Sequence, residues 1–185
     1  MRAFFSVDLP DELAESFATV QAAFDGAAGL NFVDPEQAHV TLKFLGEVDE
    51  VSEVDEVVAA GERAVEGADV EPFECSVGGL GVFPSMEYIS VVWSGVDGGA
   101  TQLAALHEAL EVETTDLGFE SEDHEFTPHF TLARMNDARG KELVQEVVQD
   151  RHPEVGTFTV EEVRLTESTL TSEGPEYEIV ERFAL

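Results

Sequence analysis

Basic residues are scarce in this sequence. Its 185 residues include 40 Asp plus Glu but only 9 Lys plus Arg, which gives a formal net charge of −31 at pH 7. A groove that follows many phosphates needs a run of cationic side chains, so this composition excludes an extended contact with nucleic acid. Any nucleic-acid substrate must be held locally. Self-repulsion of this size is relieved when the Debye length falls to roughly 3 Å at 1 M salt, and we interpret the charge as adaptation to a salty cytoplasm.

Cysteine and long apolar runs are also scarce. Cys75 is the only cysteine, which excludes an internal disulfide and agrees with a reducing cytosol. A lone cysteine in a strand-like segment is usually a small buried hydrophobe rather than a reactive group. No apolar run approaches the about 18 residues of a transmembrane helix, and the first residues lack a signal-peptide pattern. We therefore predict a cytoplasmic protein with no membrane partner, and we expect a monomer.

Hydrophobic residues, by contrast, are plentiful. They make up 43% of the chain, and 13 of them are Phe. Disordered chains are poor in aromatic and β-branched residues, so the acidic composition does not indicate disorder here. A chain of this length has the size of one domain, but it also suits an internally duplicated fold. We predict a single domain over residues 1–185 that is built from two pseudo-symmetric lobes.

Apolar periodicity predicts strands and helices in mixed order, which indicates an α+β fold. An amphipathic period of 3.6 predicts helices at 11–24, 51–65, 100–117 and 138–148. Strand patterns occur at 2–9, 31–33, 39–45, 73–83, 88–93, 129–133, 158–165 and 178–183.

The order of these elements repeats along the chain. A strand at Phe4, a helix, a strand at His39 and a helix are matched by a strand at Ile89, a helix, a strand at His129 and a helix. If two such units pack with their sheets facing, the two His strands lie at the centre and enclose a cleft. The repeat therefore predicts a cleft with approximate two-fold symmetry.

Two short motifs carry the candidate chemistry: His-Val-Thr-Leu at 39–42 and His-Phe-Thr-Leu at 129–132. In a strand, the His and Thr of each motif share one face and the apolar residues share the other. Two imidazoles and two hydroxyls that face one cleft offer a proton acceptor, a proton donor and two hydrogen bonds to phosphoryl oxygens, without a metal ion. One such motif alone would be typical of an ordinary half-buried strand. Two motifs at matching places of a repeat favour a catalytic pair.

At these motifs the sequence resembles the two-histidine (2H) phosphoesterases, and within them the RNA 2′,3′-cyclic phosphodiesterases, also called 2′-5′ RNA ligases. The resemblance covers nearly the whole chain, and the paired motifs are its specific part. The segments that carry it are 2–10, 39–46, 79–84, 106–110, 128–134 and the region around Tyr177.

The resemblance implies a bilobal α+β fold with two antiparallel sheets and outer helices around a central cleft. It also implies an RNA end with a 2′,3′-cyclic phosphate as substrate and water as the nucleophile that opens the ring to a 2′-phosphate. His39 would be the proton donor, His129 the proton acceptor, and Thr41 and Thr131 would bind the phosphate. Independently, in-line attack on phosphorus needs an acid and a base on opposite sides, which pseudo-symmetric strands supply. Because the two imidazoles must start in opposite protonation states, we predict a bell-shaped pH profile around neutrality.

Two further substrate-binding residues follow from the same resemblance. Arg134, five residues after His129, matches an arginine that offsets phosphate charge, and its fork of donors suits that task. Phe44, five residues after His39, matches an aromatic residue that stacks on a terminal base, an interaction worth roughly 1 to 3 kcal/mol for any base. Simple alternation points Phe44 into the core, so stacking would require a bend near the end of the strand.

Other polar residues have weaker patterns. We predict that His107 is a surface or boundary residue, because its helix offers no orienting partner at a recognisable spacing. We assign His124 and His152 to exposed loops. Lys43 is predicted to share the polar face of its strand with His39, where it could assist phosphate binding or remain solvated.

A metal site is not expected at the cluster of His124, Glu125 and His129. A helical zinc motif needs His-Glu-x-x-His, and Pro128 both disrupts that spacing and resists a helix. We therefore predict that the protein works without a metal or nucleotide cofactor.

The leading hypothesis is thus an RNA 2′,3′-cyclic phosphodiesterase. Two alternatives on the same scaffold are a 2′-5′ RNA ligase and a phosphodiesterase for a small cyclic-phosphate nucleotide. An alternative from another class is a non-catalytic module that binds RNA ends or nucleotides. Two complete motifs argue against that module, because binding alone does not require two proton-transfer groups.

Overall fold

The computed structural model describes all residues from Met1 to Leu185. The helices are α1 (Ala14–Ala22), α2 (Val51–Ala68), α3 (Ala100–Thr115) and α4 (Lys141–Asp150). The strands are β1 (Arg2–Asp8), β2 (Leu30–Phe32), β3 (His39–Glu47), β4 (Phe73–Pro84), β5 (Ile89–Val96), β6 (His129–Met135), β7 (Glu154–Val160), β8 (Glu162–Thr171) and β9 (Gly174–Ala184).

The strands form two antiparallel sheets. The first has the order β3-β1-β8-β9, and the second has the order β2-β6-β5-β4-β7. Each His-Val/Phe-Thr-Leu motif opens a strand of a different sheet, β3 in the first and β6 in the second. The predicted α+β class with two antiparallel sheets is confirmed.

The helices do not simply cover the sheet to which their flanking strands belong. In the chain, α1 lies between β1 and β3 of the first sheet, yet it packs against β6 and β7 of the second. Correspondingly, α3 lies between β5 and β6 of the second sheet but packs against β3 and α2. Each motif strand is therefore supported by a helix from the other half of the chain.

The apolar faces form one continuous core. It includes Phe5, Phe17 and Phe130, all fully buried. Gly61 lets α2 lie directly on the first sheet, because a Cβ atom there would be only 2.7 Å from Phe183 Cζ and 2.8 Å from Phe5 Cε1. None of the four helices combines the length and apolar character that a membrane crossing requires.

One predicted strand is wrong. The segment 158–165 is not continuous: the chain leaves the second sheet at the end of β7, passes Glu161, and enters the first sheet as β8. Val160 and Val163 are both buried although three positions apart, so the period of two is interrupted between them. The α1 region also differs from the prediction, because 11–13 form a 3-10 turn before the helix.

Candidate active site

A cleft of about 730 Å³ brings together five of the six predicted site residues. Its lining includes residues from both motif strands: His39, Thr41, His129, Thr131 and Arg134. Residues of β2 and the following turn line it as well, together with segment 171–177 around the β8–β9 turn. This volume lies within the about 300–1,000 Å³ that is usual for small-molecule sites.

Both motif strands have the same departure from regular alternation. In the pairing of β1 with β3, Ser6 opposes Thr41 and Phe5 opposes Lys43, so Leu42 has no partner and forms a bulge. The pairing of β5 with β6 likewise leaves Leu132 without a partner. A bulge shifts the following side chains to the opposite face of the strand.

The burial of the two strands repeats residue by residue across these bulges. The first and third residues are half-buried, the second, fourth and fifth are buried, and the sixth is exposed. Because of the bulge, the sixth residue of β6, Arg134, returns to the face of His129 and lines the cleft. Without it, Arg134 would point to the core.

The two imidazoles are oriented in the same way. His39 Nδ1 lies 2.8 Å from the carbonyl oxygen of Gln37, and His129 Nδ1 lies 2.7 Å from that of Thr127. A carbonyl only accepts, so each Nδ1 carries a proton and donates it. This arrangement leaves Nε2 of each ring for proton transfer.

The surroundings of the two rings differ. His39 stacks on Phe4, with ring centroids 4.8 Å apart, and meets the edge of Tyr177 at 5.4 Å. His129 instead contacts the edge of Phe83 at 4.9 Å and lies 5.9 Å from Trp93. These aromatic contacts limit the rotation of each imidazole.

Burial lowers the pKa of His39 and the pKa of His129 below the usual value, because desolvation disfavours the cation. The backbone hydrogen bonds act in the opposite direction. Asp8, which faces His39 across β1 and β3, raises the pKa of His39, whereas Arg134 lowers it. For His129, both Arg134 and His39 lower the pKa.

The cleft contains little positive charge. Arg134 is the only Lys or Arg in its lining, whereas Asp34, Glu173 and Glu176 line it with carboxylates. One guanidinium can neutralise one phosphodiester, and the acidic rim disfavours further phosphates nearby. The lining therefore offers charge compensation for one phosphate group.

Phe44 lies outside the cleft lining. The bulge turns it away from the core, and 46% of it is exposed, but it packs beneath the Arg2 guanidinium, whose Cζ is 5.4 Å from the ring centroid. The strand therefore has the bend that base stacking would require. However, Phe44 does not line the cleft, where the prediction placed it beside a substrate. Phe32 and Tyr177 are the aromatic residues that line the cleft instead.

The interpretation of Lys43 as a residue on the polar face was wrong. The bulge places Lys43 in the interior, where it is fully buried. Its Nζ donates to both carboxylate oxygens of Glu111, at 3.0 and 3.1 Å, and to the carbonyl of Glu120 at 2.6 Å. Lys43 therefore joins β3 to α3 and cannot reach a substrate in the cleft.

The prediction of His107 as a surface or boundary residue without an orienting partner was also wrong. It is 8% exposed, its Nδ1 lies 2.6 Å from the carbonyl oxygen of Leu42, and Phe126 stacks on its ring at 4.2 Å. The orienting partner comes from a distant strand, so no local spacing reveals it. His124 and His152 are exposed, as predicted.

One group of side chains has the composition of a metal site. Candidate ligand atoms of His107, Glu111 and Glu122 lie within 4.8 Å of one another. However, Glu111 already accepts from the Lys43 ammonium, and His107 Nδ1 donates to a carbonyl. The internal lysine therefore already balances this carboxylate, and none of the three residues lines the cleft.

Sequence reasoning did not identify the β8–β9 turn as part of the site. Residues 171–177 reach the cleft, and Gln37 Nε2 donates to the carbonyl of Pro175 at 3.3 Å. The Ser-Glu-Gly-Pro sequence at 172–175 predicts a turn, but its distance from the motifs gives no sign that it reaches them.

Comparisons with known proteins agree with this geometry. The 2′-5′ RNA ligase superfamily matches residues 9–170. An RNA 2′,3′-cyclic phosphodiesterase of Methanothermobacter thermautotrophicus is 38% identical, over 100% of this chain and 99% of its own. One from Aeropyrum pernix is 40% identical, over 78% of this chain and 80% of its own.

Solved structures share the fold. A crystal structure of a Thermus thermophilus protein has a TM-score of 0.81 at 30% identity and covers 100% of this chain and 98% of that one. Escherichia coli LigT in complex with 3′-AMP has a TM-score of 0.80 at 24% identity, over 100% and 97%. The match over most of the chain, the full-length relatives and the shared architecture lead to one conclusion: the chain belongs to the 2′-5′ RNA ligase superfamily.

Proposed function

We propose that this protein hydrolyses RNA 2′,3′-cyclic phosphate ends to 2′-phosphates. The observation that carries the proposal is the cleft in which two imidazoles, each with Nδ1 committed to a carbonyl, are combined with two threonine hydroxyls and Arg134. The names of the full-length relatives support the same reaction.

In the proposed mechanism, a water molecule attacks phosphorus in line with the bond to O3′. His129 accepts a proton from the water through Nε2 as the new P–O bond forms. The P–O3′ bond breaks, and His39 donates its Nε2 proton to O3′. The products are a 3′-hydroxyl and a 2′-phosphate monoester, and the two imidazoles have exchanged protonation states.

Thr41, Thr131 and Arg134 would hold the phosphate during this step. The two hydroxyls donate to non-bridging oxygens, and the guanidinium offsets the charge that develops on them. Because Arg134 is the only Lys or Arg in the lining, we propose that the enzyme recognises the RNA end and not the adjoining backbone. All these residues come from one chain, so the proposal needs no partner subunit.

A 2′-5′ ligation is a second candidate, and the same geometry favours it. If a 5′-hydroxyl replaces water as the nucleophile, attack on the cyclic phosphate produces a 2′-5′ linkage with the same acid and base. The balance between the two reactions would depend on which nucleophile reaches His129.

Product analysis tests the proposal. An oligoribonucleotide with a 2′,3′-cyclic phosphate is incubated with the protein in molar KCl and a chelator, with and without a 5′-hydroxyl acceptor. The salt screens the charge of −31, which we propose is adapted to a salty cytoplasm. We expect only the 2′-phosphate without acceptor. A 3′-phosphate would contradict the proposed leaving group, and an unchanged end that stays bound would indicate the non-catalytic binding module.

A further inference from the structure

Two buried polar side chains outside the cleft contact the motif strands in equivalent ways. Gln21 on α1 and His107 on α3 are 7% and 8% exposed. Gln21 Nε2 donates to the carbonyl of Leu132 at 3.0 Å and to that of Val33 at 2.7 Å. His107 Nδ1 donates to the carbonyl of Leu42 at 2.6 Å.

The two motif carbonyls occupy matching positions. Leu42 and Leu132 are the fourth residues of their motifs, and each is the bulged residue without a partner on one side, toward β1 for Leu42 and toward β5 for Leu132. On its other side, the Leu132 carbonyl also accepts from the backbone N–H of Val33 at 3.0 Å. A bulge interrupts the ladder on that side, and a carbonyl oxygen has two lone pairs, so a buried carbonyl there can accept a further hydrogen bond from a helix side chain. Each donor belongs to the helix that crosses over from the other half of the chain.

We infer that Gln21 and His107 are positioning residues that keep the two bulges at Leu132 and Leu42. This inference rests on the proposed function of the cleft. The bulges decide which side chains face the cleft: His39 and Thr41 precede the one at Leu42, and Arg134 faces the cleft only because of the one at Leu132.

The polar character of the two side chains supports this role. A buried amide or imidazole costs free energy unless it is hydrogen-bonded, and an apolar side chain of similar volume would fill the same space without that cost. The hydrogen bond is therefore what these residues contribute beyond packing. Without Gln21, the Leu132 carbonyl keeps only its hydrogen bond from Val33, and a shift of the bulge by one residue would turn Arg134 toward the core.

A double-mutant cycle tests the Gln21 contact. We expect Gln21→Leu to lower kcat/KM for a 2′,3′-cyclic nucleotide by about 10- to 100-fold, because misplacement by about 1 Å has effects of that size. If Gln21 acts through Arg134, the Gln21→Leu/Arg134→Ala double variant loses little more than Arg134→Ala alone. Losses that multiply would overturn the inference.

Gln145→Leu is the matched control. Gln145 Nε2 also donates to a carbonyl, that of Met86 at 2.6 Å, but it lies on α4 and this hydrogen bond does not involve a motif strand. We expect this variant to keep the parent kcat/KM. An equal loss in Gln145→Leu and Gln21→Leu would mean that both act only on general stability.

Rescue tests the His107 contact. We expect His107→Leu to lower kcat by about tenfold or more with the protein still folded, and His107→Asn to recover most of it, because the Asn amide nitrogen can occupy the place of Nδ1. Thr114→Val is the control on the same helix, since it removes a buried hydrogen bond to Leu110 only. Failure of the Asn variant to restore activity would overturn the role of His107.

A readout without turnover separates this inference from the proposed function. If the parent protein does not hydrolyse cyclic phosphates, the proposed function fails, and amide hydrogen exchange still tests the bulges. We expect faster exchange confined to 130–135 in Gln21→Leu and to 40–45 in His107→Leu. Exchange that is unchanged there, or accelerated throughout the chain, would overturn the inference.

Discussion

The two motif strands, β3 and β6, have the same backbone and different surroundings. Both begin with a histidine whose Nδ1 binds the carbonyl two residues before it, and both bulge at the leucine. Only His39 faces a carboxylate across its strand pair, that of Asp8. The matching position opposite His129 is Gly95. The shared backbone fixes the geometry, and the unshared side chains distinguish the two imidazoles.

This difference supports opposite chemical roles. Burial and Arg134 lower the pKa of both imidazoles, but Asp8 raises the pKa of His39 alone, and a charge on His39 lowers the pKa of His129. The electrostatics thus agree with our proposal of His39 as proton donor and His129 as proton acceptor. Because burial lowers the pKa of both, we expect the bell-shaped profile of kcat/KM to have its maximum on the acid side of neutrality.

The largest expected effect comes from removing each imidazole. His39→Ala and His129→Ala should each lower kcat by about 10²- to 10⁴-fold, the usual contribution of a general acid or base. A phosphodiester with a nitrophenolate leaving group needs no proton donor, so it should restore much of the activity of His39→Ala and little of that of His129→Ala. Equal recovery in both variants would contradict the assignment of roles.

Lys43 and Ala133 are the fifth residues of β3 and β6, and of the two only Lys43 forms an ion pair in the interior. Substitution of Lys43 should therefore have a large effect on the stability of the protein. Lys43→Met leaves Glu111 without its cation, and we expect the free energy of unfolding to fall by about 3 kcal/mol, the lower end for a buried pair because Glu111 is partly exposed. Denaturant unfolding measures the change. The Lys43→Met/Glu111→Leu double variant should recover most of the loss, since no unpaired charge remains. A double variant less stable than Lys43→Met would contradict this account.

Arg134 and Phe44 are the sixth residues of β6 and β3, and their substitutions should have different effects on kcat/KM. Arg134→Ala should lower kcat/KM by about 10- to 100-fold, as expected for the loss of a charge-assisted hydrogen bond to phosphate. Phe44→Leu should have little effect, because Phe44 packs under Arg2 outside the cleft. Steady-state kinetics with a 2′,3′-cyclic nucleotide compares the two. A larger loss in Phe44→Leu would restore the base-stacking interpretation.

The smallest effect is a displacement of one limb of the pH profile. The Asp8 carboxylate raises the pKa of His39, so Asp8→Asn lowers that pKa, and His39 loses its proton at a lower pH. The alkaline limb of kcat/KM should therefore move to lower pH, while the acid limb stays in place. Glu162→Gln is the control, since Glu162 also binds Arg164 but does not affect His39. Movement of the acid limb instead would assign the acceptor role to His39.

The sequence predicted the elements and the central residues well, because these depend on local patterns. Alternation located both motif strands, and the pairing of His and Thr predicted a shared face for His39 and Thr41. The equivalent bulges of β3 and β6 also support the interpretation of the chain as two pseudo-symmetric lobes.

The errors arose where the backbone departs from a regular period or where partners are distant in sequence. The bulge at Leu42 reversed the expected directions of Lys43 and Phe44. A contact between α3 and β3 decided the environment of His107, and no local spacing encodes it. One signal was present: Arg134 stands an odd number of residues after His129, so both can share a face only if the strand is irregular.

The exchange of helices between the halves also bears on how the molecule unfolds. Since α1 packs on the second sheet and α3 on the first, unfolding of either half of the chain removes a helix that packs on the sheet of the other half. Neither half-chain can bury its own sheet in isolation, so excised halves should remain aggregation-prone fragments rather than small domains. Calorimetry of the intact protein should accordingly record a single endotherm, with a van't Hoff enthalpy equal to the measured heat.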